Sequence, residues 1–169
     1  MGVAIDAGDQ PGIFYIILHE ASHAVDYIRH ATPIIEPGME NVYKDLPTTT
    51  PFVRGIWQSY KQPQAACDFP LRKDVSFYGL SPRAKIRPGE MLALYQGLEG
   101  SCFASLYGSQ NWAEDFAEYF AVYHLTQKMH EPYKITVLKD GKPVLVYEPM
   151  KNPKVISRSG AVEKFYAPK

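Results

Sequence analysis

The chain has 169 residues, 46% apolar and 21% charged, and its 18 basic and 18 acidic side chains cancel to a formal charge of zero. This length fits one domain able to bury about 70% of its unfolded surface, and a balanced charge without a long basic run excludes the electrostatic footprint of a nucleic-acid or anionic-membrane binder. The longest apolar run, Ile13 to Leu18, falls far short of the roughly 20 residues that span a bilayer, so no membrane span is expected.

The opening residues Gly2 to Asp6 read at most as one strand. They lack the charged n-region and apolar h-region of a signal peptide, which leaves a mature N-terminus, a cytosolic protein or an internal boundary open. Leu18, Ala21, Val25 and Ile28 then recur at helical spacing behind Pro11, which predicts a helix over Gly12 to His30 with those residues as its apolar face. Thr32-Pro33 and Pro37-Gly38 end it. Residues 31 to 89 hold more than half of the 14 prolines. Turn signals there alternate with the aromatic patches GIWQSY and VSFYGL, so short elements are expected. Trp57, Phe77 and Tyr78 of these patches either line a groove or pack in the core. Pro88-Gly89-Glu90 opens a helix through Leu98, with Gly97 and Gly100 closing it.

Asn111 is suited to cap a helix whose apolar face, Ala113, Phe116, Ala117, Phe120, Ala121 and Leu125, runs to about Met129 before Pro132 stops it. Two β-rich runs around Asp140-Gly141 predict a hairpin within residues 133–149. The last twenty residues read as an irregular tail. The expected class is α+β, mostly helical with a C-terminal β-hairpin. Cys67 and Cys102 form either one disulfide or two buried thiols.

The stretch HEASH places His19 and His23 four residues apart, about 40° around a helix axis, so both can offer a ring nitrogen to one ion. Glu20 lies beside them and can reach a water on that ion without ligating it. A catalytic zinc of this type needs one further carboxylate and an open position. Glu114 and Glu118 on the second long helix are the candidates; one can bind zinc while the other accepts the remaining ring N–H of a ligating histidine. Each has an ordinary alternative. Asn111-Trp112-Ala113-Glu114 has the form of a capping box, Glu118 can be a solvated helix acid, and Asp115 reads as solvated. Asp26, three after His23, is either an acid behind the ligands or an exposed one. Tyr107, Tyr119 and Tyr123 read as core or interface aromatics, and His30, His124 and His130 as structural.

The segments HEASHAVD and YGSQNWAEDFAEYF together resemble the gluzincin metallopeptidases of the anthrax lethal factor type, related to the Pro-Pro endopeptidases. The first keeps H-E-x-x-H-A-V-D, and the second matches Y-G-x-x-N-x-A-E-x-F-A-E-x-F. The resemblance implies a zincin-like catalytic lobe spanning residues 1–169 as a single domain. It implies zinc held by His19, His23 and Glu114, with Glu20 as general base, Glu118 as the acid behind a ligating histidine, and Tyr107 as the hydroxyl that stabilises the oxyanion. The interval from His23 to Glu114 is longer than in lethal factor, so residues 31–100 are expected to form a different, substrate-facing insertion. Eighteen residues precede His19, where zincins place a sheet and a backing helix; this implies a fragment of a longer polypeptide or a pared-down lobe.

The expected function is a zinc metalloendopeptidase acting on a peptide or protein substrate. The alternative is a non-catalytic, zinc-containing binding domain or a pseudoenzyme derived from such a peptidase. The resemblance implies an exported protein, and a Cys67–Cys102 bridge would agree. Neither substrate nor oligomeric state is readable from the sequence.

Overall fold

The computed structural model describes residues 1–36, 38–39, 49–77 and 85–167; Tyr78 lies outside them. Its central element is helix α3 (Trp112–Tyr123), buried along most of its length. The Asn111 side chain accepts hydrogen bonds from the backbone N–H groups of Ala113 and Glu114, both at 3.0 Å, which satisfies two of the donors a helix start leaves open. Beyond Tyr123 the helix widens into a π-helical turn, His124–Lys128, and His130 reverses the chain in the left-handed region at φ 60°.

Helix α1 (Gly12–Arg29) packs against α3, with His30 as its left-handed C-cap. The expected apolar face is corrected. Leu18 and Val25 are half-buried, while Ala21 and Ile28 face out. The fully buried positions are polar: His19, Ser22 and Asp26. Burial of these is tolerated because each is hydrogen-bonded. Ser22 Oγ donates to Leu18 O at 2.6 Å, and Asp26 accepts from Thr32 N and Thr32 Oγ1, both at 2.7 Å. Large apolar residues occupy the opposite side, where Ile13, Ile16, Ile17, Tyr27 and Ile28 are 54–70% exposed.

Strand β1 (Gly2–Asp6) pairs antiparallel with β4 (Lys134–Lys139), which pairs antiparallel with β5 (Lys142–Tyr147). The expected hairpin is present, and Asp140 (φ 50°) and Gly141 (φ 76°) both take the positive φ of a type I′ turn. It belongs to a three-stranded sheet whose Ile135, Val137 and Tyr147 point into the core.

The segment 31–100, expected to be an insertion, contributes Phe52, Val53, Trp57, Cys67, Leu94 and Leu98 to the core from its described residues. It carries a small antiparallel hairpin, β2 (Trp57–Ser59) with β3 (Gln62–Pro63), and helix α2 (Met91–Glu99). Gly97 does not end α2. It lies inside the helix, where a Cβ would stand 2.9 Å from the Phe69 ring. Cys67 and Cys102 form a disulfide closing a 35-residue interval, a constraint on the unfolded chain of about 4 kcal/mol by loop entropy.

The C-terminal stretch is not an irregular tail. Short helices α4 (Pro153–Ile156) and α5 (Gly160–Glu163) bring Val155 and Val162 into the core at 0% exposure. Between them Arg158 reaches Asp115 through both terminal nitrogens, at 3.0 Å and 2.5 Å. Asp115 is therefore no solvated acid: it is fully buried, and Trp57 Nε1 donates to it as well, at 2.8 Å. No helix among the described residues is long and apolar enough to cross a membrane.

Candidate metal centre

The buried polar side of α1 faces the carboxylates of α3. His19 Nε2 and His23 Nε2 stand 3.2 Å apart, and Glu114 Oε2 is 3.3 Å from the first and 3.5 Å from the second. Atoms held about 2.0–2.1 Å from a tetrahedral zinc are about 3.3–3.4 Å from one another. Charge-assisted N–H···O bonds to a carboxylate are shorter, about 2.7–2.9 Å. Glu114 Oε2 is buried and accepts no aligned hydrogen bond, so the three atoms have the spacing of a coordination shell. Asn111 caps α3 while the Glu114 carboxylate turns to the histidines, which sets the capping-box alternative aside.

The other nitrogen of His19 is also engaged. Glu118 Oε1 lies 2.8 Å from His19 Nδ1, and both side chains are buried. A proton on Nδ1 shared with Glu118 leaves the Nε2 lone pair directed at the cluster. Behind Glu118 stand two residues that no motif signalled. Tyr15, one helical turn before His19, lies near enough to Glu118 for that carboxylate to raise its phenol, and Tyr133 Oη lies 3.4 Å from Tyr15 Oη with the rings stacked at 5.5 Å. Burial pushes both phenols well above the ordinary tyrosine range, so they remain protonated. Tyr15 sits at i−4 from His19, the one trace of its role in the sequence.

Electrostatically the centre is a base held among acids. Burial opposes charge on His19, yet Glu114 and Glu118 beside its two nitrogens outweigh it and raise its pKa to about 9. Burial likewise opposes charge on Glu114, and the two histidines overcome it to hold that carboxyl at about 2.

The strap from Ser101 to Gln110 closes one side. It is tied by the disulfide at Cys102, by Tyr147 Oη donating to Phe103 O at 2.7 Å and by Arg72 Nη1 donating to Ser109 O at 2.8 Å. Gly108 lets it press on α3, since a Cβ there would lie 3.2 Å from Glu118 Cβ and 3.4 Å from Asp115 Cα. This places the half-buried Tyr107 ring on the His19 imidazole, 5.5 Å between centroids, with the Phe77 ring tilted against Tyr107 at 4.9 Å. Glu20 is exposed on α1, about 100° round the axis from His19 and about 60° from His23. Asp26 holds the Thr32 turn and makes no hydrogen bond to a histidine. His30 is the C-cap of α1, His130 turns the chain in the left-handed region just past the π-helical turn, and His124 Nδ1 pairs with Tyr166 Oη at 2.9 Å.

Comparison of the chain with protein-family models, curated proteins and solved structures returned no match. The functional reading rests on the geometry of the cluster and on the residue pattern.

Hollows flank the cluster on both sides. On the Glu114 side a cleft of about 340 Å³ is walled by Lys61, Val75, Phe77, Tyr107 and Gln110. Towards His23 a hollow of about 130 Å³ is lined by Ile34, Ile35, Tyr60 and Trp112. Phe77 thus reaches a groove beside the cluster, whereas Trp57 is a core residue at 0% exposure. Among the described residues, His19, His23 and Glu114 make one cluster with ligand atoms near enough to share an ion.

Proposed function

We propose that this protein is a zinc-dependent endopeptidase with His19, His23 and Glu114 as ligands. The observation that carries the reading is the spacing of 3.2, 3.3 and 3.5 Å among two imidazole nitrogens and a buried carboxylate oxygen that lacks an aligned hydrogen bond. The donor set, two imidazoles and one carboxylate, suits zinc. Structural zinc sites are closed by four protein ligands, and three with an open position belong to catalytic ones. Three ligands gathered among the described residues support the catalytic form over a binding domain that keeps metal for stability. The resemblance of HEASHAVD and YGSQNWAEDFAEYF to the lethal factor-type gluzincins supports the same assignment.

Zinc held there supplies Lewis acidity, polarising a carbonyl oxygen and lowering the pKa of bound water toward about 7. Glu20 takes a proton from the attacking water on one carboxylate oxygen and delivers it to the leaving amine nitrogen. The Tyr107 phenol donates a hydrogen bond to the carbonyl oxygen as charge develops on it, an interaction worth about 3 kcal/mol when preorganised. Glu118 keeps the Nδ1 proton of His19 in place throughout, and Tyr15 backs Glu118. The disulfide supports an oxidising compartment and hence an exported protein.

The test compares zinc content and peptide-library cleavage for the native sequence, Glu20→Gln and Glu114→Ala. The reading expects near-stoichiometric zinc in the first two, loss of cleavage in Glu20→Gln and loss of zinc in Glu114→Ala. Cleavage retained by Glu20→Gln, or zinc indifferent to Glu114, overturns it.

A further inference from the structure

Lys61 sits at the tip of the β2–β3 hairpin, and two anchors fix that hairpin beside Glu114. The backbone N–H of Trp112 donates to Tyr60 O at 3.2 Å, and Trp57 Nε1 donates to Asp115 at 2.8 Å, both on the first turn of α3. Lys61 thereby belongs to two adjoining hollows. One is the cleft that reaches Glu114; the other is an open depression of about 350 Å³ walled by Ser59, Gln62, Arg72 and Lys73. Gln110 is also common to both, so together they form one trough leading away from the metal cluster.

Charge along this trough is asymmetric. Glu114 is the acid at the cluster end, and beyond it the ionisable wall residues described are Lys61, Arg72 and Lys73. Arg72 is 3% exposed; its Nε donates to Asp68 at 2.6 Å and its Nη1 to Ser109 O at 2.8 Å, while Nη2 is buried without a hydrogen-bond partner. Asp68 therefore offsets one of the three positive charges. Lys61 and Lys73 are exposed and enter no ion pair among the described residues. A trough with two unbalanced ammonium groups at one end attracts and orients an anion there.

We propose that the far end of the trough is a carboxylate-recognising subsite. Substrates are then peptides with a carboxylate at a fixed offset on one side of the scissile bond, from an Asp or Glu side chain or from the free C-terminus. The inference rests on the peptidase reading, because it takes the cluster as the place of cleavage. Lys61 and Lys73 lie outside the residues that act on the scissile bond, so neutral peptides do not need them.

The experiment uses the zinc-loaded protein and N-acetylated octapeptide pools with Glu, Gln or Lys fixed at each position in turn, every pool made as free acid and as C-terminal amide. Cleavage is followed with the native sequence and with Lys61→Glu/Lys73→Glu. Binding is measured in parallel on zinc-loaded Glu20→Gln, with and without the two charge reversals. The expected result is preferential cleavage and binding of one Glu-fixed pool or of the free acids, reduced about three- to tenfold by the reversals and by raised salt, with the Gln amide pools unaffected. Preference for Glu in both end forms assigns a side chain, and preference for free acids assigns the chain terminus. Cleavage without carboxylate preference, or a preference that survives both reversals, overturns the subsite and leaves the peptidase reading standing. Binding preference that the reversals remove, without cleavage of any pool, upholds the subsite and overturns the peptidase reading. Absence of preference in both cleavage and binding overturns the subsite whatever the activity.

Discussion

Replacing Glu118 with glutamine isolates the negative charge behind the metal cluster. Glu118 Oε1 lies 2.8 Å from His19 Nδ1, with side-chain exposures of 7% and 9%, so solvent screens the contact little. The carboxylate favours the Nδ1–H tautomer and makes Nε2 a stronger ligand. Glutamine can still accept from Nδ1–H but carries no charge. Losing such an outer partner typically costs about 10- to 100-fold in metal affinity, or about 1.4–2.7 kcal/mol. Glu118→Gln belongs near the lower bound. Glu118→Ala belongs near the upper, because it also leaves the buried His19 N–H without its acceptor. Competition for zinc against a chelator of known affinity at fixed pH measures the loss, with thermal melting as the control for folding. A folded Glu118→Gln protein with native zinc affinity would refute the reasoning, since Glu118 would then be a buried acid that does not act through His19.

Asp115→Ala removes the acceptor of Arg158 and Trp57 in the core, and leaving a buried charge unpaired costs about 3–5 kcal/mol. At this chain length that is a fall in Tm of roughly 6–20 °C; a loss under about 1 kcal/mol in urea unfolding would show that Asp115 is not the anchor it is taken for. In metal-free protein the folded pKa of His19 is raised from 6.5 to about 9 against the opposing effect of burial, so its stabilisation is complete below pH 6.5 and lost as pH rises through 9. The size is about 3 kcal/mol at most. The depressed Glu114 value is largely the same interaction and is not added. Chemical unfolding from pH 6 to 9.5 should show this slope with chelator present and not with zinc bound; a flat metal-free profile would contradict it.

The grouping of His19, His23, Glu114 and Glu118 was legible because helical geometry turns HExxH spacing into a shared direction and the four-residue repeat of Glu114 and Glu118 does the same on the facing helix. The assignment of Asp115 failed for a related reason. Helix periodicity places it one step from Glu114 without indicating that Arg158, 43 residues on, fills the space there. The apolar face of α1 was misread because the buried side is polar. Hydrogen bonds to Leu18 O, Thr32 and Glu118 let Ser22, Asp26 and His19 occupy positions that hydrophobic periodicity gives to Ala21 and Ile28. Among the described prolines of 31–89, Pro51 and Pro70 lie in turns and Pro63 lies in strand β3, and a disulfide and scattered core residues have no period, so their packing left no trace in the pattern.

Three carboxylates within five residues of α3 lie wholly or largely out of solvent, and each needs compensation. Asp115 receives a guanidinium and an indole N–H, and Glu118 an imidazole N–H. Glu114 differs, because its inner oxygen meets two imidazole nitrogens at distances too long for good hydrogen bonds. In the metal-free chain a proton on His19 supplies the positive charge, which is why that histidine is held basic up to about 9. A divalent cation satisfies all three atoms, supplies more charge than the proton and must displace it. Metal affinity and proton affinity at this centre are therefore two readings of one deficit, and a substitution that abolishes the first by removing Glu114 should also bring His19 back toward an ordinary imidazole. The carboxylate proposed as the metal ligand is thus the one that the rest of the chain leaves incompletely satisfied.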